Sequence, residues 1–179
     1  MRVAKTPASA SPTDISFRPI QHSDLKHLRL INNDAYPAVP RATGEDMATL
    51  AEKASWGVVA HGGDEIAGFV MCFSPGADYD SENYRFFESN FDSHFYIDRI
   101  VIAKPFRGGG LGAALYGQVF DEAKSRGAQH VTCEVNLDPP NPVSIAFHRK
   151  MGFEGVGTQD TKGGSVLVQL MAAKMAGGQ

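Results

Sequence analysis

The run Arg107-Gly108-Gly109-Gly110-Leu111-Gly112 stands between an apolar stretch, Phe95–Ala103, and a segment in which Leu111, Leu115, Val119 and Ala123 recur at every fourth position. The first neighbour reads as a buried strand and the second as a helix that opens on the glycines. Glycines at such a junction let the chain turn tightly. They also leave N–H groups uncovered at a helix N-terminus, where those donors and the helix dipole attract phosphate. Two other anion-binding loops do not fit. A nucleotide-hydrolase loop needs Lys and then Ser or Thr after its last glycine, and here Ala113-Ala114 follows. A dinucleotide fingerprint needs strict G-x-G-x-x-G spacing and an acidic residue at a strand end roughly 20 residues on, and this run meets neither. A turn kept glycine-rich for steric reasons alone is the remaining alternative.

Working outward, Gly127 falls where a helix C-terminus favours a left-handed residue, and His130–Val135 reads as the next buried strand. Phe95 to Val135 is therefore one strand–helix–strand unit. Asn141 caps a short helix with Pro142 at its first position, Gly152 ends it, and Phe153–Thr158 and Ser165–Met171 supply the last strands. Upstream, Asp14–Ile20 alternates as a strand, and Ser23 or Asp24 caps a helix bearing Leu25, Leu28 and Ile31. Ala42–Ala54 has helical spacing, with Thr43 as its cap. Trp56–His61 and Ile66–Phe73 form a hairpin about Gly62-Gly63-Asp64-Glu65. Ser74–His94, rich in Asp, Asn, Ser and Tyr, reads as a long functional loop. The pattern predicts an α/β (α+β) fold with a mixed, mostly antiparallel sheet flanked by helices. Residues 1–13 read as a flexible arm, 14–172 as a single domain, and 173–179 as a frayed tail.

Composition narrows the function. The 179 residues carry 17 Lys and Arg against 20 Asp and Glu, a net charge of −3. That balance, with no long basic run, gives no field for nucleic acid. No stretch has the apolar length of a membrane span. Cys72 and Cys133 are too few for a disulfide framework or a four-ligand zinc site. They read as reduced, buried thiols of a cytoplasmic protein, and no metal is expected.

Read as Arg107, Gly110 and Gly112, the loop has the form R-x-x-G-x-G directly after a strand. Thirty residues or so further on (roughly one βα unit), the run from Asn141 through Ser144, Phe147, His148, Lys150 and Gly152 to Phe153 is similar to N-x-x-A-x-x-L-Y-x-K-x-G-F. Together they resemble the acyl-CoA loop and following segment of the GCN5-related N-acetyltransferase (GNAT) superfamily. The likeness is strong from about Tyr96 to Phe153 and weak over Ile15–Asn33.

The resemblance implies two central strands that splay apart to admit acetyl-CoA as co-substrate. It implies that the backbone of Ile100, Val101 and Ile102 pairs with the pantetheine arm. The amides of Arg107, Gly108, Gly109, Gly110, Leu111, Gly112 and Ala113 would hold the pyrophosphate, and Asn136 and Asn141 would bond the pantetheine amides. Asn141 as a helix cap is compatible with that role. Family relatives carry a catalytic carboxylate at the position of Asp98 and a Tyr at that of His148.

Acyl transfer to an amine requires that an ammonium lose a proton, that an oxyanion find a donor and that the departing thiolate receive a proton. Asp98 is the expected proton acceptor, placed by alternation on one face with Ile100 and Ile102. His148 is the expected acid, since histidine gives up a proton readily near neutral pH. An ion pair for Asp98 and a packing role for His148 are the alternatives. The acceptor pocket is expected at Asn32–Pro40 and Asp78–His94, with Tyr36, Tyr79, Tyr84, Phe86, Phe87 and Phe91 as walls. Asp78, Asp80, Glu82, Glu88 and Asp92 would supply negative charge suited to a cationic small-molecule amine. The expected function is N-acetylation of a primary amine by direct attack in a ternary complex. Acetylation of protein N-termini or lysines, and a non-catalytic acyl-CoA-binding regulatory module, stand as alternatives. The oligomeric state is left open, a homodimer included.

Overall fold

The computed structural model describes residues 14–177, so the expected arm at 1–13 lies outside the described residues. Strands form at Ile15–Pro19 (β1), Trp56–Gly62 (β2), Glu65–Phe73 (β3), His94–Ile102 (β4), His130–Asp138 (β5), Glu154–Thr161 (β6) and Val166–Lys174 (β7). They build a seven-stranded sheet in the order β1-β2-β3-β4-β5-β7-β6. Every neighbouring pair is antiparallel except β4 with β5. A parallel pair needs a long crossover, and the helix that opens on the glycines provides it. The sheet is thus mixed and mostly antiparallel, as expected.

Helices Leu25–Asp34 (α1), Gly44–Lys53 (α2) and Glu82–Asn90 (α3) cover one face, and Leu111–Ser125 (α4) and Pro142–Lys150 (α5) the other. Thr43 caps α2 by accepting from the Asp46 amide, and Asn141 caps α5 by accepting from the Ser144 amide. The four-residue recurrence on α4 becomes its buried stripe: Leu111, Leu115, Val119 and Ala123 pack on Phe95, Ile97, Val131 and Cys133 of the sheet. Both cysteines are free and buried, as expected.

Three sequence expectations need correction. The presumed loop over Ser74–His94 contains α3, capped by Ser81 and anchored by Tyr84 and Phe87 in the core. The tail expected from residue 173 begins later, because β7 runs to Lys174, whose partner is His130.

The third correction concerns β4. Its register against β3 passes from Cys72 opposite Ile97 to Met71 opposite Arg99, so Asp98 is an extra residue in a bulge. A bulge reverses the in-and-out alternation beyond it. Phe95 and Ile97 face α4 before the bulge, and Ile100 and Ile102 face it afterwards. Asp98 therefore does not share a face with Ile100 and Ile102. It points with Tyr96 to the side of α1, α2 and α3, and Arg99 and Val101 follow it there.

Candidate active site

The parallel pairing of β4 and β5 is short: His94 with His130, Phe95 with Val131 and Tyr96 with Thr132. Beyond Tyr96 the strands part, while β4 continues to pair with β3 as far as Ile102. The seam opens into a cavity of about 340 Å³, whose lining includes Ile97, Asp98, Arg99, Ile100, Glu134, Asn136, Asn141 and His148. The edge of β4 that faces β5 from Ile97 onward, including the expected Ile100, Val101 and Ile102, thus has no strand beside it.

Above that edge the chain turns through Lys104–Phe106 into the glycine loop. Arg107 Nε donates to the Ile102 carbonyl at 3.0 Å, which ties the loop to the strand end. Gly108 and Gly110 both have φ of 82°, a left-handed conformation that L side chains rarely adopt. Gly110 is the N-cap of α4 and makes no side-chain cap bond. Among the described residues no backbone acceptor engages the amides of Gly108, Gly109 and Gly110. The first amides of α4, at Leu111, Gly112 and Ala113, have no intrahelical partner by construction. Around Gly108 and Gly110 there is open space where a side chain would stand. Such a cradle suits a diphosphate.

The two asparagines are each partly engaged. Asn136 donates its side-chain N–H to the Pro37 carbonyl at 2.8 Å, which straps the α1–α2 connection across the seam to β5. Asn141 Oδ1 accepts from the Ser144 amide at 3.3 Å. Both line the cavity.

On the acceptor side the bulge brings Asp98 and Arg99 to Glu134, which projects from β5. Asp98 Oδ1 accepts from the Tyr79 hydroxyl at 2.5 Å, and Oδ2 lies 3.4 Å from Arg99 Nη1. Both Glu134 oxygens lie within reach of the Tyr96 hydroxyl, at 3.0 and 2.9 Å. Burial pushes Glu134 up to about 8, and the Asp98 charge adds to the shift. A carboxyl so tuned exchanges a proton near neutral pH.

Sequence reading missed Glu134 and Arg99 as site residues, and it gave Tyr79 as a pocket wall without its bond to Asp98. The available signal was a charged residue, Glu134, inside the apolar run Val131, Cys133, Val135. The expected walls divide. Tyr36 and Tyr79 line the cleft. Tyr84 and Phe87 are core, Phe86 packs against that core from its margin, and Phe91 packs on His130. Of the acidic residues, Asp80 and Glu82 line the outer cleft, whereas Glu88 is consumed by the Gly76 amide and the His94 ring. Asp78 faces solvent, paired with Lys53.

His148 is buried, ringed by Tyr116, Phe147 and Phe153. Its Nδ1 lies 2.7 Å from the Ser144 carbonyl, which can only accept, so the proton sits on Nδ1. Nε2 then accepts from the Tyr116 hydroxyl. Burial lowers the His148 pKa, against the pull of the Ser144 carbonyl, and the ring is neutral at pH 7. In that state it presents no proton to the cleft. Tyr116, another cavity-lining residue that sequence reading missed, stands beside it.

The model of the acetyltransferase (GNAT) family matches residues 25–153. N-alpha-acetyltransferase 30 of Schizosaccharomyces pombe is 34% identical over 58 residues, which are 32% of this chain and 37% of that protein. The chain therefore spans little more than a third of that relative's length. Among solved structures, Ard1 from Thermoplasma volcanium is similar with a TM-score of 0.74 and 16% identity, over 92% of this chain and 99% of that one. yncA from Salmonella typhimurium, solved with its cofactor acetyl-CoA, is similar with a TM-score of 0.69 and 16% identity, over 92% and 96%. At these identities both are likenesses of fold. The matched span, 25–153, contains the parted strands, the glycine loop and the carboxyl pair, and the chain belongs to the acetyltransferase (GNAT) family.

Proposed function

We propose that this protein transfers an acetyl group from acetyl-CoA to a primary amine by direct attack in a ternary complex. The observation that supports this reading best is the seam between β4 and β5. It opens at Ile97 under a loop of unused amides, and two carboxyls stand at its floor. The residues present fit acetyl-CoA. The amides from Arg107 to Ala113 are placed for the pyrophosphate, the free edge at Ile100, Val101 and Ile102 for the pantetheine, and Asn136 and Asn141 for its amides. When bound there, acetyl-CoA supplies an acyl group already activated as a thioester.

The chain's own groups then divide the work. Asp98 attracts and orients the acceptor ammonium, while Glu134 takes its proton and leaves a neutral amine. The N–H of Ile102 on β4 faces the developing oxyanion. The carbonyl carbon gains a bond to nitrogen and loses its bond to sulfur, and the sulfur leaves as a thiolate that needs a proton. That proton comes from the Tyr116 hydroxyl, which solvent then reprotonates, and His148 Nε2 orients the hydroxyl as its acceptor. His148 thus acts by positioning Tyr116 and not as the acid.

Purified full-length protein given acetyl-CoA and a broad panel of amines is expected to release free thiol, read with a disulfide reagent. Silence across the panel, with acetyl-CoA still bound, would favour the non-catalytic binding module. Asp98→Asn is expected to abolish turnover while leaving coenzyme A affinity unchanged. A second reading, acetylation of protein N-termini, draws on the name of the Schizosaccharomyces pombe relative. Peptides belong in the same panel for that reason.

A further inference from the structure

The floor of the cleft presents one charge of each sign side by side. The bulge at Asp98 turns two consecutive residues, Asp98 and Arg99, toward the same cavity. Both are deeply buried, with side chains 4% and 11% exposed. Both keep bonding capacity in reserve: Asp98 Oδ2 and Arg99 Nε have no hydrogen-bond partner. Their mutual contact, Nη1 to Oδ2 at 3.4 Å, is long for an ion pair. A buried guanidinium with an unused N–H carries a desolvation cost that a bound acceptor group would offset. The groups around it include Asp98, Tyr79, Tyr96 and Glu134, with Asp46 also within electrostatic reach. The two tyrosines are neutral, and Glu134 holds its proton at pH 7. Asp98 is the carboxylate in contact with Arg99 on the cleft floor.

An acceptor with only an ammonium would satisfy Asp98 and leave Arg99 as it is. A molecule with an ammonium and a carboxylate on one carbon would satisfy both, because its two charged groups stand side by side as Asp98 and Arg99 do. The walls also set a size limit. Asn136 straps Pro37 to β5 at 2.8 Å, and Lys162 N and Gln159 Nε2 bond Glu82 and Asn83 of α3 at 3.1 and 3.0 Å. The cleft is thus bridged on both flanks of its floor, an arrangement suited to a small acceptor.

Resting on the transferase reading above, we infer that the acceptor is a free α-amino acid, its ammonium on Asp98 and its carboxylate on Arg99. The product is then an N-acetylamino acid, formed with release of coenzyme A and one proton. Arg99 is the residue that sets specificity.

The test gives the full-length protein and acetyl-CoA the common L-amino acids, each as free acid, as carboxamide and as the decarboxylated amine. At least one free acid should exceed its own carboxamide and amine in kcat/KM by about tenfold or more. Arg99→Gln should bring that ratio close to one, chiefly by raising KM for the acid. Arg99→Lys should restore part of it, and coenzyme A affinity by calorimetry should not change. Carboxamides, amines or peptides turned over as well as the acids would overturn the inference and leave the transferase reading standing. Thiol release from no amine at all would sink the transferase reading, and this one with it. The comparison of acid with carboxamide is made on the unaltered protein, so it does not depend on the Arg99 variants folding.

Discussion

Glu134 owes its chemistry to its surroundings. A carboxyl on an exposed strand would be ionised at every physiological pH. Here burial, with Asp98 nearby, moves it up to about 8. The rate of acyl transfer should therefore climb as pH rises through about 8, when the group becomes free to accept a proton. Glu134→Gln should remove that inflection from a plot of log kcat/KM against pH, at a cost of roughly 10²–10⁴-fold in kcat.

Stability should move the opposite way. The folded protein keeps the Glu134 proton between its ordinary value of 4.5 and about 8, while the unfolded chain gives it up. Rising pH across that window therefore favours unfolding. Glu134→Gln, which cannot ionise, should match the parent in urea near pH 4 and exceed it near pH 9. A lead that shrinks with rising pH would contradict the burial of this carboxyl. Tyr116→Phe should lower kcat by about a hundredfold without raising the dissociation constant of coenzyme A, measured by calorimetry.

These residues were unevenly legible in the sequence. Asp98 was legible through the family resemblance, which places a carboxylate at its position. Glu134 stood inside an apolar run and was passed over, because its pKa depends on Tyr96 and Asp98, which are distant in the chain. His148 was found as a residue, but its tautomer rests on the Ser144 carbonyl one turn away, and no side-chain pattern encodes that.

At the scale of elements, the glycine loop and α4 were readable because their causes are local. Recurrence at every fourth residue marks a buried helical stripe, and glycines mark left-handed backbone. Gly110→Val would force a β-branched residue to φ of 82°, costing on the order of 1–3 kcal/mol. It should weaken coenzyme A binding strongly while the far-ultraviolet circular dichroism stays unchanged. α3 was hidden because only Tyr84 and Phe87 mark its buried face, amid Asp, Asn and Ser that favour loops. The bulge was hidden for a different reason. Period-two reading presumes unbroken register, and one extra residue against β3 inverts everything downstream. The result carried weight for function, since the inversion sends Arg99 into the cleft.

At the scale of the whole molecule, two cores are stacked on the faces of one sheet, and the seam divides that sheet between β4 and β5. Leu115, fully buried on α4, is not among the residues that line the cleft. Leu115→Ala should lower stability by about 2–5 kcal/mol. Coenzyme A that fills the seam should stabilise the folded state by about 2.7 kcal/mol at a concentration a hundred times its dissociation constant. That corresponds to a rise of about 5–10 °C in melting temperature for a chain this long, and the Gly110→Val protein should show little of it.

Three residue pairs are the whole ladder between the halves of the sheet, β1 to β4 and β5 to β7. Backbone pairing elsewhere in each half is several times richer, so the divide is a place where solvent deuterons can enter. The seam-facing amides within Ile97–Ile102 and Glu134–Asp138, those not bonded to β3 or β7, should exchange quickly in the ligand-free protein and slow when coenzyme A is added. Those of the β2–β3 hairpin should keep the same slow exchange in both states.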